Sequence, residues 1–354
     1  MKKKEPPKNP PAIPIKSLAY NLFSQFIANN RDTVSNSLEL FESIPKYFLS
    51  PFQAARLRTD KGHADPYELS YSYNGTPFTV KIQAALIKQK TGGYKAFFFG
   101  ETEELVEEVL KKILTYQNCS IHDPRNVETW IKFSLSAIQR ELKLRKKTRS
   151  LSEIKHAIKV MSDSIITLYR DGEEMWSGSI LSDLRTVDRE KYLNETDSLH
   201  VARLPMFISF AIDQLEYRQF NYDRLMSCRE QLSRWLYKKL INRYKQASTE
   251  NDYHFNFSTI QSESGFLQQS RIRDNRIKVI NALEELIRRD VICSYKTKDH
   301  KTGKKIVDVT YILTPSTEFI KEQKAANKRS KISREKLRTA QITLPVSPKK
   351  TPPK

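Results

Sequence analysis

The sequence predicts an α+β, helix-rich chain, and three observations lead to that class. From Phe255 to Pro315 the pattern reads as a short helix (about Ser258–Ser264), a turn, a longer helix (about Arg271–Arg289) and a β-hairpin. The hairpin strands are Val291–Tyr295 and Ile306–Leu313, joined by the lysine-rich loop Lys296–Lys305, with Met226–Ala247 as the preceding helix. Second, pieces of this stretch recur upstream. Phe133-Ser-Leu-Ser-Ala-Ile-Gln139 parallels Phe255-Asn-Phe-Ser-Thr-Ile-Gln261 at a separation of 122 residues, and Ile158-Lys-Val-Met161 parallels Ile277-Lys-Val-Ile280 at 119. Third, much of the +20 net charge sits at the ends: residues 1–16 carry +4 and residues 321–354 carry +9. Helix, turn, helix and hairpin in that order outline a winged helix, so the expected fold is two tandem winged-helix domains with basic disordered tails. The expected boundaries are a basic leader (1–16), an N-terminal winged-helix domain with a hairpin and helix extension (17–186), a linker (187–200), a C-terminal winged-helix DNA-binding domain (201–320) and a basic tail (321–354).

A chain of 354 residues with 38% hydrophobic content can bury the cores of two domains. No run of 18 or more apolar residues exists, so no membrane span is expected. The N-terminus MKKKEPPKNPPAIP has the charge of a signal peptide but prolines in place of its apolar core, which predicts a cytoplasmic protein. Cys119, Cys228 and Cys293 are scattered without a C-x-x-C pair and signal neither a disulfide framework nor a zinc site.

Along the chain, Ser17–Asn30 spaces Leu18, Leu22, Phe26 and Ile27 on one helical side. Leu69–Ile82 alternates apolar residues around Asn74-Gly75, the signature of a tight hairpin, although Thr76-Pro77 can lengthen the loop. A second strand pair is expected at Ala85–Ile87 and Lys95–Phe99, then a helix at Glu101–Tyr116 whose early acids and late lysines complement the helix dipole. The first copy continues into a strand at Ile165–Tyr169, turns at Arg170-Asp171-Gly172 and returns along about Met175–Leu184. Polar Val187–His200 reads as the linker. Met206–Leu215 and Leu225–Tyr244 read as helices, the latter with Leu232, Trp235, Leu236, Leu240 and Tyr244 on one face and Arg229, Arg234, Lys238, Lys239 and Arg243 mostly on the rest.

The residues suited to DNA form three groups. Arg271, Arg273, Asn275 and Lys278 occupy the N-terminal half of the longer helix, the part a helix-turn-helix presents to the major groove. Arg and Asn can make bidentate contacts to guanine and adenine edges. Arg276 points towards the core arc. Lys296, Lys298, Lys301, Lys304 and Lys305 crowd the hairpin loop, where they suit phosphates, which fix register without reading sequence. Lys143, Arg145, Lys146, Lys147 and Arg149 form a run between the two helices of the first copy, the place of a backbone-gripping loop. A solvated basic surface is the alternative for each group. Enzyme motifs are missing: there is no G-x-x-x-x-G-K-[ST], the six histidines are isolated, and Asp171, Glu173 and Glu174 lie in a hairpin turn. No enzyme activity and no cofactor are expected.

Several segments resemble the two-winged-helix plasmid replication initiators, the iteron-binding Rep proteins. They are Leu204-Pro205-Met206, then Gln231-Leu-Ser-Arg-Trp-Leu-Tyr-Lys-Lys-Leu240, then Arg271-x-Arg273…Ile277-x-x-Ile280-x-x-Leu283-x-x-Leu286 leading into Asp290-Val-Ile-Cys-Ser-Tyr295. The resemblance covers about residues 100–315, and residues 17–100 have no counterpart in it. It implies a bacterial protein that binds double-stranded DNA at direct repeats of an origin, both winged helices gripping one repeat and the second reading the more specific half. Arrays of bound protein would help to open an adjacent A·T-rich region and recruit the host replication initiator and helicase machinery. The resemblance also implies autorepression by a homodimer joined through the first unit. A winged-helix transcriptional regulator is the alternative, because tandem winged helices alone do not separate the two.

Overall fold

The computed structural model of the chain describes residues 33–116, 119–124, 126–187 and 199–342. The basic leader and the helix expected at Ser17–Asn30 lie outside those residues. The N-terminal part runs β1 (Val34–Ser37), α1 (Glu39–Glu42), α2 (Pro51–Arg56), β2 (Tyr67–Tyr73), β3 (Thr76–Gln83), β4 (Ala85–Lys88) and β5 (Tyr94–Phe97). Next come α3 (Glu101–Leu114), β6 (Ser120–Asp123), β7 (Glu128–Ser134), α4 (Leu135–Leu144), α5 (Leu151–Asp163), β8 (Ile165–Arg170), β9 (Glu173–Gly178), β10 (Ser182–Val187) and β11 (Leu199–Arg203). The rest is α6 (Met206–Asp213), β12 (Arg218–Asn221), α7 (Tyr222–Ser227), α8 (Gln231–Arg243), β13 (Tyr253–Asn256), α9 (Phe257–Ser264), α10 (Ile272–Arg288), β14 (Ile292–Thr302), β15 (Lys305–Pro315) and α11 (Thr317–Ile342). The described residues are mixed α/β, and the strand pairs among them are all antiparallel.

Asn74 and Gly75 take positive φ (55° and 76°), so the β2–β3 turn is the tight two-residue form and Tyr73 pairs directly with Thr76. Pro77 does not lengthen the loop. It pairs only towards β2, because β8 joins β3 from Thr79 onward, and its missing N–H therefore interrupts no second ladder.

In the C-terminal unit, α8, β13, α9, α10, β14 and β15 follow in sequence, with a sheet in the order β13-β15-β14. The earlier unit repeats the order α3, β7, α4, α5, β8, β9, but its strands pair differently. β7 lies in the sheet β10-β11-β7-β6, while β8 and β9 are extended by the first hairpin into β2-β3-β8-β9. The repeated Phe and Ile are core positions in both units: Phe133 and Phe255 are buried, as are Ile138 and Ile260. The second parallel breaks at its first residue, since Ile158 is buried and Ile277 is exposed.

Three sequence expectations are corrected. The linker placed at 187–200 begins and ends in paired strands, Val187 opposite Leu199 and Thr186 opposite His200, so its ends belong to a sheet of the first unit. The helix expected over Leu225–Tyr244 breaks between α7 and α8. There Arg229 N and Glu230 N donate to the Glu285 carboxylate (2.7 and 3.0 Å), and the Arg234 guanidinium donates to the carbonyls of Cys228 and Arg229. The tail expected to be disordered from 321 is helical in α11 as far as Ile342, and residues 343–354 lie outside the described ones. Phe319, Ile320, Gln323 and Ala326 form a short buried stripe that composition hides among lysines.

A buried ionic seam joins the two units. Arg234, fully buried on α8, donates through Nε and Nη2 to both oxygens of Glu104 on α3 (3.0 and 2.8 Å). Lys111 on α3 meets Glu42, Glu107 and Glu108 at 2.9, 3.3 and 2.6 Å, and Lys238 on α8 also reaches Glu108. The acids and lysines of α3 keep the dipole-complementing order, Glu103 accepting from the Gly100 N–H at the N-terminus (2.8 Å), while Glu104, Glu107 and Glu108 serve in addition as buried contact residues. The cations of α8 are likewise engaged, Lys239 with Glu263 at 2.5 Å and Arg243 with Glu39 at 2.7 Å.

Candidate nucleic-acid interface

The surface begins with the turn ahead of α10. Helix α9 ends at Gly265 in the left-handed conformation (φ 72°), with the Leu69 and Phe48 side chains about 3 Å from where a Cβ would project. That close approach favours glycine and fixes the exit of the chain. Arg271 is the N-cap of α10 with extended backbone and makes no capping side-chain bond, so its guanidinium is left to solvent.

Asn275 does not join the reading surface. It is buried; its Nδ2 donates to the Gln269 carbonyl and its Oδ1 accepts from the Gln269 N–H, both at 3.0 Å. A carboxamide that is buried and bonded to the backbone at both ends cannot present its remaining donor and lone pair to a base edge.

Around α10, Val279, Ala282, Leu283 and Leu286 are buried. One flank meets the β14–β15 ribbon through Arg276 and Asp299 (3.3 Å) and through the Tyr295 hydroxyl donating to Glu284 (3.1 Å). On the outer side, Glu285 is buried beneath the α7–α8 junction, closing the C-terminal half of the helix. The N-terminal half stays open and presents Arg271, Arg273, Lys278 and Asn281, together with Ile272 and Ile277. Asn281 falls, as its helical spacing predicts, on the side opposite the core arc, whereas Ile272 and Ile277 are not among the residues that the sequence singles out for DNA. The signal for Ile277 was an apolar residue outside the arc of Val279, Leu283 and Leu286, a position suited to a thymine methyl group.

The ribbon is longer than expected. Its strands are 11 residues each, and the turn is reduced to Gly303 (φ 61°) and Lys304. The five lysines thus sit mostly on paired strands, because the partner strand Ile306–Thr310 is rich in β-branched residues that extend the ladder. Tyr295 and Asp299 face α10, so Lys296 and Lys298, opposite Ile312 and Thr310, lie on the other face. Lys301, Lys304 and Lys305 surround the tip. All five are exposed, and none has an ion-pair partner among the described residues.

The first unit is different. Arg145 forms an ion pair with Asp223 at 2.6 Å and lies over the Tyr222 ring at 5.4 Å. Lys147 donates to the Cys228 carbonyl at 2.8 Å, and burial, with Arg234 nearby, lowers its pKa. Arg149 is held by Thr102 Oγ1 (3.2 Å) and Glu101 (3.7 Å). Three of the five predicted gripping residues are therefore internal braces, and Lys143 and Lys146 remain exposed. The β8–β9 turn, Arg170-Asp171-Gly172-Glu173-Glu174, carries three acids to one cation and is poorly suited to phosphates.

No family model matches the sequence, and no curated protein matches it. Solved structures similar to this chain include domains 2 and 3 of RctB as selenomethionine derivatives, at 12% identity and a TM-score of 0.46, covering 73% of this chain and 94% of that one. A second structure of RctB domains 2–3 aligns at 12% identity and a TM-score of 0.44, covering 75% and 97%. The Pi initiator protein in complex with iteron DNA aligns at 14% identity and a TM-score of 0.41, covering 61% of this chain and 94% of that one.

Among the described residues no group of three or more His, Cys, Asp or Glu side chains could hold a metal ion. His122, isolated in sequence, meets Asp213 Oδ1 at 2.9 Å and Thr129 Oγ1 at 2.9 Å, with its side chain fully covered. No helix among these residues is long and apolar enough to cross a membrane.

Proposed function

We propose that this chain binds duplex DNA sequence-specifically at repeated origin sites to initiate plasmid replication, and that it does so without catalytic chemistry of its own. In this reading the unit from α8 to β15 is a winged helix, α10 is its major-groove helix and the β14–β15 ribbon its wing. The unit from α3 to β9 is its tandem partner. One observation carries the reading: the cations of α8 and three of the five in the Lys143–Arg149 run are engaged by other protein groups, whereas Arg271, Arg273 and Lys278 on α10 and the five ribbon lysines are exposed and have no ion-pair partner among the described residues. Unpaired Lys and Arg on adjoining elements are what phosphate binding requires.

The roles follow from placement. Arg271 and Arg273 read guanine edges, Asn281 reads adenine, and Ile277 meets a thymine methyl group. The major groove, about 12 Å wide, admits one helix. The ribbon lysines hold phosphates and fix the register. Action at an origin, recruitment of the host replication initiator and helicase machinery, autorepression by a homodimer and a bacterial cytoplasmic setting rest on the sequence resemblance to iteron-binding initiators.

The test is footprinting of purified protein on DNA flanking its own gene, paired with deletion of the gene. Several protected direct repeats and loss of plasmid maintenance are expected. A single operator with maintenance unaffected would favour the transcriptional regulator instead.

A further inference from the structure

A groove of about 630 Å³ lies between α2 and α10, lined among others by Phe52, Arg56, Arg229, Lys278 and Asn281. It gives a place to the N-terminal segment, which neither the resemblance nor the reading above uses. Helix α2 is built to be rigid: Ser50 caps it in a reciprocal box with Gln53, and Pro51 opens it. It is fastened to the turn before α10 by Gln53 Nε2 donating to Gln268 Oε1 at 3.2 Å. Gln231 donates to the Tyr47 carbonyl at 3.0 Å and ties the same segment to α8.

We propose that this groove receives the second phosphate strand of the duplex, with Arg56 and Arg229 as backbone-gripping residues; the proposal rests on the DNA-binding reading of α10. A helix lying in the major groove is flanked by two sugar-phosphate strands. The ribbon flanks α10 on the edge marked by Arg276. At about 100° per residue, Asn281 and Lys278 lie about 140° and 200° round the helix from Arg276. The groove therefore borders the edge that the ribbon leaves open. Arg56 and Arg229 are exposed and have no ion-pair partner among the described residues; Arg56 lies over the Phe52 ring at 5.7 Å. Of the acids on the rim, Glu101 is engaged by Arg149 and Arg234, and Glu230 is exposed. The charge balance favours an anion, and the groove is continuous with α10 through Lys278.

The experiment measures binding of the full chain to a random-sequence duplex across a salt series. It compares the parent with Arg56→Ala, Arg229→Ala, the double variant, Arg56→Lys, and Lys304→Ala/Lys305→Ala as a ribbon control. Each arginine-to-alanine change is expected to weaken binding several-fold and to lower the slope of log affinity against log salt by about 0.9 for each phosphate no longer neutralised. Arg56→Lys should keep most of the slope. Arginine variants with unchanged slope and affinity, beside a ribbon control that loses both, would overturn the groove proposal and leave the DNA-binding reading standing. A parent chain that does not bind duplex DNA would overturn both. Circular dichroism of each variant confirms folding, which neither exposed side chain supports.

Discussion

The carboxamide of Asn275 closes on the backbone of Gln269, donating to its carbonyl and accepting from its N–H, both at 3.0 Å. This pair fixes where α10 starts and so aims Arg271 and Arg273 outward. A residue of the right type for reading adenine instead sets the position of its neighbours.

Asn275→Ala should therefore lower unfolding free energy by about 1–3 kcal/mol, the cost of losing the two hydrogen bonds that this buried side chain makes. Urea denaturation measures the loss. The ratio of affinities for a cognate repeat and its single-base variants should not change; a relaxed ratio would restore Asn275 as a base reader.

Arg271→Ala and Arg273→Ala should show the opposite pattern. Both side chains are exposed, so stability should stay within about 0.5 kcal/mol. Affinity for the protected repeat should fall by about 1–3 kcal/mol per residue, with little change on random DNA. Fluorescence anisotropy with both duplexes checks this, and an equal loss on both would move the reading surface elsewhere.

Neutralising Lys298, Lys301, Lys304 and Lys305 together should weaken specific and random binding alike. The salt dependence should flatten by roughly 0.9 in log–log slope for each phosphate released. Steep salt dependence retained in this variant would take the ribbon out of the interface.

The seam between the units should respond to mutation and to acid. Arg234→Ala leaves Glu104 buried without its charge partner and should cost about 3–5 kcal/mol, whereas Arg234→Met with Glu104→Leu removes both charges and should cost less, the remaining loss coming from the Cys228 and Arg229 carbonyls and Gln231 that the pair also bonds. Burial pushes the Glu42 and Glu107 carboxyls up. Lys111 and Lys238 around Glu42, and Lys46 and Lys111 around Glu107, more than reverse this and hold both at about 2. Folded-state values below the ordinary 4.5 mean that the stabilisation is complete above that pH and is lost as pH falls towards 2. Urea midpoints measured across that window should fall in the parent and fall less in Glu42→Gln.

What the sequence made legible was local. Asn74-Gly75 dictates its own turn, and the spacing of Val279, Leu283 and Leu286 orients Arg271 and Lys278 without further information. The ribbon is not legible locally, because five lysines look like a loop, while the pairing that keeps Lys298 in a strand is made by Thr310, far enough along the chain to escape a local pattern. Lys143–Arg149 read as a free basic run because Asp223, Cys228 and Glu101, which engage it, are scattered through the sequence. The seam was hidden for the same reason: Glu104 and Arg234 each look like surface charge until the fold brings their helices together. Helix α11 carries only a short stripe from Phe319 to Ala326, too little to stand out against its charge.

The central claim is that duplex DNA lies against the N-terminal half of α10 and the ribbon. Lysine acetylation with and without bound duplex, read residue by residue by mass spectrometry, tests it most directly. Lys278, Lys298, Lys301, Lys304 and Lys305 should lose reactivity when DNA is bound, while Lys143 and Lys146 keep theirs. Unprotected ribbon lysines beside protected Lys143 and Lys146 would contradict the account and place the DNA on the first unit.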